Sequence, residues 1–129
     1  MMKCFYEKHC LPGEFDQKVV DDFFQRYDFI PHKEIVYGYD EDEKRLYIKY
    51  NVDDVDKIDD MPITRNIWCF DKKTGERLWA IEQEKRNTPN TYGRSGFSSD
   101  GALRASAQGG ITYDLDPETG KISNPVFTK

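Results

Sequence analysis

A turn motif that occurs twice, 45 residues apart, constrains the fold of this chain more than any other feature. The sequence Asp-Lys-Lys-Thr-Gly-Glu at 71–76 aligns with Asp-Pro-Glu-Thr-Gly-Lys at 116–121. Short apolar runs flank both turns, and the two tryptophans of the chain, Trp68 and Trp79, lie in the runs around the first turn. Aromatic and branched residues on either side of a turn that ends in glycine predict a β-hairpin, because glycine accepts the positive φ that such a turn needs. We therefore expect at least two similar hairpins.

Apolar and polar residues alternate with period two over most of the chain after residue 34, which predicts four consecutive hairpins, and such hairpins form a meander. Ahead of them, apolar residues at helical spacing between Phe15 and Tyr27 predict an amphipathic helix that ends before Pro31. The predicted fold is a single, mainly β domain over 1–129, with one N-terminal helix at 15–29 and an eight-stranded antiparallel meander at 34–127. The predicted strand pairs are 35–39 with 46–52, 67–70 with 78–81, 92–98 with 102–107, and 111–115 with 122–127, and a short strand is predicted at 2–6.

The residues around the two turns resemble the blade repeat of β-propellers of the pyrroloquinoline-quinone-dehydrogenase type. In that repeat an Asp-x-x-Thr-Gly turn joins two strands and a Trp follows the Gly. The match is full over Ile67–Trp79 and partial over Tyr113–Ile122, because Ser123 and Asn124 stand where the Trp belongs. The offset between the turns fits one four-stranded blade of about 40–50 residues. A closed propeller has about four to eight blades, so the resemblance implies a half-propeller-like meander, and we expect no cofactor.

The net charge of −5 is concentrated in one segment. Residues 40–60 carry nine acidic and four basic residues, so this segment alone has a net charge of −5. Such a segment attracts a basic partner and repels nucleic acid and anionic membranes. A solvated acidic rim without a partner is the alternative interpretation. The predicted partner-binding residues are Asp40, Glu41, Asp42, Glu43, Asp53, Asp54, Asp56, Asp59 and Asp60.

Several kinds of catalytic site lack the residues that they need. Cys4, His9 and Cys10 do not have the paired spacing of zinc ligands, and the acidic segment lacks the glycine and the closing glutamate of a calcium loop. Ser95 is not in a nucleophile elbow, and both imidazoles, His9 and His32, precede the predicted sheet. Because acidic residues are abundant, a pair of carboxylates spaced as in a glycosidase stays an alternative. We expect no metal site and no enzymatic activity.

The chain has no run of 18 apolar residues, no apolar signal region at its start and an odd number of cysteines, so we expect a cytoplasmic protein.

Its size, acidity, aromatic content and lack of catalytic groups resemble those of bacterial immunity proteins, including the ones of contact-dependent growth inhibition. The resemblance implies that the protein neutralises a cognate basic toxin domain, a ribonuclease or a deoxyribonuclease, by covering its active site with the carboxylates of residues 40–60. Two alternatives are a small ligand-binding domain or enzyme with a pocket between helix and sheet, and a propeller-like module completed by oligomerisation.

Overall fold

In the part of the chain that the structure describes, one α-helix precedes eight antiparallel strands, as the sequence predicts. The computed structural model describes residues 16–51, 63–86 and 89–127, so the strand predicted at 2–6 lies outside the described residues. Single turns of 3₁₀-helix at Lys33–Ile35 and Ile63–Arg65 precede the first and third strands. The elements are α1 Gln17–Arg26, β1 Val36–Glu41, β2 Arg45–Tyr50, β3 Ile67–Asp71, β4 Arg77–Ala80, β5 Tyr92–Phe97, β6 Leu103–Ala107, β7 Ile111–Leu115 and β8 Ile122–Phe127.

The meander is divided into two four-stranded sheets. The first sheet has the order β1-β2-β3-β4 and the second has the order β5-β6-β7-β8, with every neighbouring pair antiparallel. The four predicted hairpins are therefore confirmed, and the division falls in the segment 81–91 between β4 and β5. Each sheet holds one of the two Thr-Gly turns, the first between β3 and β4 and the second between β7 and β8.

Helix α1 is shorter than the predicted 15–29. The Asp16 side chain accepts a hydrogen bond from the backbone N–H of Lys18 (3.0 Å) and caps the start of the helix. At the other end, Tyr27 leaves the helical conformation (φ −122°, ψ 73°) while its N–H still bonds to the carbonyl of Phe23. Pro31 is therefore not the residue that stops the helix, because the chain has already left it at Tyr27.

The molecule has three layers, with α1 on one side of the first sheet and the second sheet on the other. Alternate side chains of a strand point to opposite faces, so β2 and β3 supply both cores and are apolar at almost every position. The core between α1 and the first sheet contains Val20, Phe23, Phe24, Tyr27, Ile30, Leu46, Ile48, Tyr50, Trp68 and Phe70. The core between the two sheets contains Tyr47, Ile67, Cys69, Trp79, Ile81, Tyr92, Leu103, Ala105, Ala107, Ile111, Tyr113 and Leu115.

An aromatic side chain from the preceding layer packs beneath each Thr-Gly turn, and we call these contacts the aromatic clamps. Beneath the first turn, the Tyr27 hydroxyl donates to the carbonyls of Lys72 (2.8 Å) and Lys73 (2.6 Å). Beneath the second, Trp79 Nε1 donates to the carbonyl of Pro117 (3.0 Å), the residue equivalent to Lys72. The tryptophan of the repeat thus supports the turn of the following sheet and not the turn of its own hairpin.

A buried amide joins the two sheets near the start of β5. Asn66 is 1% exposed, and its side-chain nitrogen donates to the carbonyls of Tyr50 (3.1 Å) and Tyr92 (2.8 Å). Its side-chain oxygen accepts the N–H of Tyr92 (3.0 Å). Since Tyr50 and Tyr92 belong to different sheets, this side chain links the two sheets at this point.

Candidate functional site

The acidic tip between β1 and β2 contains four of the predicted partner-binding residues, and the fold uses two of them. Asp40 accepts a hydrogen bond from the hydroxyl of Ser95 on β5 (2.7 Å) and lies 3.5 Å from the ammonium of Lys49. Lys49 also donates to the carbonyl of Ser95 (3.3 Å). Because its side chain is only 16% exposed, Asp40 serves as a contact between the sheets.

Asp42 closes the turn between β1 and β2. Its carboxylate accepts the backbone N–H groups of Lys44 (2.9 Å) and Arg45 (2.8 Å) and the hydroxyl of Tyr47 (2.6 Å). Burial tends to raise the pKa of Asp42, but these hydrogen bonds outweigh it and lower that pKa below its usual value. Burial and the neighbouring carboxylate raise the pKa of Tyr47. Asp42 is therefore a charged turn residue whose lone pairs are already occupied.

Glu41 and Glu43 are the exposed carboxylates of the tip. Glu41 lies 2.7 Å from the ammonium of Lys72, which also donates to the carbonyl of Asp42 (2.6 Å). An exposed ion pair of this kind is worth little, about 0–1 kcal/mol, so a partner can compete for Glu41. Of the four predicted tip residues, Asp40 and Asp42 are engaged by other parts of the fold, and Glu41 and Glu43 are exposed.

The other part of the predicted site, Asp53, Asp54, Asp56, Asp59 and Asp60, lies outside the described residues. The segment that holds them leaves the first sheet after β2 and returns at the start of β3, whereas the acidic tip precedes β2. A six-residue strand spans about 17–20 Å. The structure therefore places the tip and the flanks of the second acidic segment at opposite ends of the first sheet.

A network of hydrogen bonds around the buried Glu84 carboxylate was not predicted from the sequence. The Glu84 side chain is fully buried, with one carboxylate oxygen accepting hydrogen bonds from Arg86 (2.6 Å) and from the N–H of Asn90 (3.0 Å). The other oxygen accepts the hydroxyl of Tyr113 (2.5 Å). Burial tends to raise the pKa of Glu84, but the three donors outweigh it and lower the pKa, while burial and the carboxylate raise the pKa of Tyr113 to about 12. This network fastens the segment 81–91 to the second sheet.

Residues 46–127 match the model of a protein family described as Domain of unknown function (DUF7957). The chain belongs to this family. No curated protein and no solved structure matches the chain. The part that matches DUF7957 begins within β2 and ends with β8, so it contains both Thr-Gly turns, Asn66 and the Glu84 network.

Two open clefts in the DUF7957 region lie on either side of residues 82–86. One, of about 770 Å³, lies between the end of β4 and the turn before β8, and its charged lining consists of Arg65, Glu82, Glu84, Lys85, Arg86 and Lys121. The other, of about 540 Å³, lies beside β8 and is mostly apolar. Neither was predicted, because both depend on how the segment 81–91 crosses the second sheet. The residues that form the clefts are distant from one another in the sequence.

The part of the chain that the structure describes contains the Cys69 thiol and side chains of the types that bind metal ions. No three His, Cys, Asp or Glu side chains converge there to hold a metal ion. Cys69 is buried, and burial raises the pKa of its thiol to about 12, so the reactive thiolate is scarce at neutral pH. No helix among these residues is long and apolar enough to cross a bilayer. Cys4, His9 and Cys10 lie outside the described residues.

Proposed function

We propose that the protein is a binding protein that neutralises a basic protein partner, of the nuclease-toxin type, through the carboxylates of residues 40–60. The concentration of acidic residues in the segment 40–60, which has a net charge of −5, supports the proposal, whereas acidic side chains elsewhere, such as Asp114 and Glu84, are held by neighbouring cations. In β7, Asp114 is held by Arg104 (3.0 Å) and Asn124 (2.7 Å). In the segment 81–91, Glu84 is held by Arg86. Within the tip, Glu43 is exposed and Glu41 is paired with Lys72 at 2.7 Å. The other five acidic residues of the segment lie at 53–60 of the sequence.

Within the tip, we propose that the two exposed carboxylates meet the partner and that the other two hold the tip in place. Asp40 and Asp42 position the β1–β2 tip, because their oxygens accept hydrogen bonds from Ser95, Tyr47 and the turn backbone. Glu41 and Glu43 are the contact residues of the tip. The aspartates at 53, 54, 56, 59 and 60 supply the remaining charge, and in the sequence they lie between β2 and β3.

Charge of this kind acts mainly on the rate and selectivity of encounter. Complementary charges raise association rate constants by about 10–1,000-fold, and added salt screens the effect. A nuclease must present cations to hold substrate phosphates, so carboxylates at its cleft occupy the groups that the substrate needs. The expected result is fast, salt-sensitive association and loss of nuclease activity.

The test takes the protein encoded next to this gene as the candidate toxin and compares two charge-neutralised variants. One variant carries Glu41→Gln and Glu43→Gln, and the other carries Asn at positions 53, 54, 56, 59 and 60. A matched control with Asp22→Asn and Glu34→Gln removes two exposed carboxylates from the helix side of the molecule. Stopped-flow association and residual nuclease activity are measured at low and high salt.

We expect the five-residue variant to associate at least about tenfold more slowly at low salt, with a weaker salt dependence. The two-residue tip variant should show a smaller loss, and the control variant should associate like the wild type. Wild-type association rates in both test variants would reject residues 40–60 as the contact. Full nuclease activity in the presence of excess wild-type protein would reject neutralisation itself.

A further inference from the structure

The apolar cleft beside β8 has the composition of a ligand site. Its apolar lining consists of three buried or half-buried side chains, which we call the floor, and two exposed ones, which we call the wall. The floor is Ile111, Tyr113 and Ile122, and the wall is Pro125 and Phe127. A volume of about 540 Å³ lies within the range of small-molecule sites, about 300–1,000 Å³. Such sites are mostly apolar with a few polar groups that orient the ligand, and this cleft follows that pattern.

Phe127 is the most exposed large apolar side chain in the described residues. It is 78% exposed, whereas Ile111, its partner across the β7–β8 ladder, is 4% exposed. The ring therefore stands at the edge of an apolar floor with most of its surface in water. Covering a phenylalanine side chain stabilises a complex considerably, because the apolar area removed from water is large.

Two cations, Lys85 and Arg86, line the mouth of the cleft, and among the described residues no carboxylate side chain does. Arg86 is held by the buried Glu84, whereas Lys85 is 81% exposed and only loosely paired with Glu82 at 3.5 Å. The adjoining cleft contributes further cations. Together the two clefts are lined by four cations, Arg65, Lys85, Arg86 and Lys121, against two carboxylates, Glu82 and Glu84. An anionic group at Lys85 is therefore favoured.

The edge of β8 is poorly suited to pairing with a strand from another chain. Asn124 has a positive φ of 52°, and the ladder to β7 shifts its register at this point. Pro125 follows and has no backbone N–H to donate. A bulge and a proline at an edge are features that block strand addition. The cleft therefore suits a compact ligand better than an extended peptide.

We propose that this cleft binds a small amphipathic carboxylate. The apolar part of the ligand covers Ile122 and Phe127, and its carboxylate lies at the ammonium of Lys85. The site uses none of the residues of the acidic tip, so it is independent of the proposed neutralising function. A cationic amphiphile of the same chain length is disfavoured because it would meet the cations at the mouth.

The experiment measures binding of decanoate to the whole protein by calorimetry and by NMR amide shifts, with decyltrimethylammonium as the charge-reversed probe. A ligand of this size is expected to bind with a Kd of about 1 mM. The amide shifts should concentrate at Ile111, Tyr113, Ile122 and Phe127. Decyltrimethylammonium should bind at least about fivefold more weakly.

Two pairs of variants test the wall and the mouth of the cleft. Phe127→Ser should weaken decanoate binding about tenfold, whereas Val126→Ser, on the opposite face of the same strand, should change it less than about twofold. Lys85→Gln should weaken binding about two- to fivefold, and Lys121→Gln, which lines only the other cleft, should not. All four side chains are exposed, so unchanged melting temperatures are expected. Absence of binding at about 10 mM decanoate, equal binding of the cationic probe, or equal effects within either pair would overturn the proposal.

Discussion

The second aromatic clamp makes a quantitative prediction for Gly120→Ala. Gly120 has a φ of +78°, and a Cβ atom built on it would lie 2.5 Å from the ring of Trp79, which is 8% exposed. Alanine in the left-handed region costs about 1–2 kcal/mol. Forcing a methyl group against a buried ring costs about 1–3 kcal/mol more. We expect the free energy of unfolding to fall by about 2–5 kcal/mol.

Gly101 provides the matched control for the cost of placing alanine at a positive φ. It has a φ of +87°, and a Cβ atom built there would meet nothing within 4 Å. Gly101→Ala should therefore cost only the conformational part, about 1–2 kcal/mol. The difference between the two alanine variants measures the contact with Trp79.

Urea unfolding monitored by tryptophan fluorescence and circular dichroism measures these changes. With a slope of about 2 kcal/mol per molar urea, Gly120→Ala should lower the midpoint by about 1–2.5 M. In a Trp79→Leu background, where the ring is absent, Gly120→Ala should cost no more than Gly101→Ala. Equal losses for the two glycine variants in the wild-type background would refute the clamp, as would an excess that persists after the ring is removed.

Two further predictions concern buried polar groups. Asn66→Ala removes three buried hydrogen bonds that join backbone groups of the two sheets, and it should lower the free energy of unfolding by about 2–4 kcal/mol in thermal unfolding; a loss below about 0.5 kcal/mol would contradict its role. The folded pKa of Glu84 lies below its usual value of 4.5, so its network stabilises the fold above about pH 4.5, and this contribution is lost as the pH falls through the folded pKa. Glu84→Gln should lower the free energy of unfolding by about 1–3 kcal/mol at neutral pH and flatten its decline between about pH 5 and 3, and an unchanged pH slope in urea titrations would contradict this.

The strands and turns could be predicted because their signals are local. In the turn 116–120, Asp116 accepts the N–H of Glu118 (2.9 Å), Thr119 accepts the N–H of Lys121 (3.2 Å), and Gly120 takes the positive φ. All of these contacts join residues no more than four positions apart. The predicted bounds of β7 and β8 accordingly agree with the structure at both ends.

The division into two sheets could not be predicted, since it depends on contacts between distant residues. Asn66 bonds to Tyr92, 26 residues away, and the hydroxyl of Tyr113 reaches Glu84 across 29 residues. A sequence that alternates with period two specifies which residues share a face of a strand, but not where a meander ends one sheet and begins the next.

Among the four consecutive residues of the acidic tip, the roles that depend on local contacts could be predicted and those that depend on distant contacts could not. The role of Asp42 has a local signal, because aspartate two residues before a turn N–H commonly accepts it. The role of Asp40 has none, since its partner Ser95 lies 55 residues away on the other sheet. Glu41 and Glu43 lack such hydrogen bonds to the described part of the fold, and this is what distinguishes them from Asp40 and Asp42. Composition therefore identified the charged segment but not which of its members are available.

The aromatic clamps give the three layers a direction along the chain. Each layer supplies the aromatic side chain for the turn of the layer after it: Tyr27 directly follows α1, and Trp79 belongs to the first sheet. The equivalent position in the second sheet is Asn124, which instead bonds to Asp114 within its own sheet. The stack is thus terminated by a helix at one end and by a missing aromatic at the other. Lengthening it requires whole units of about 45 residues inserted between them, since every new sheet must both receive a ring from its predecessor and offer one to its successor.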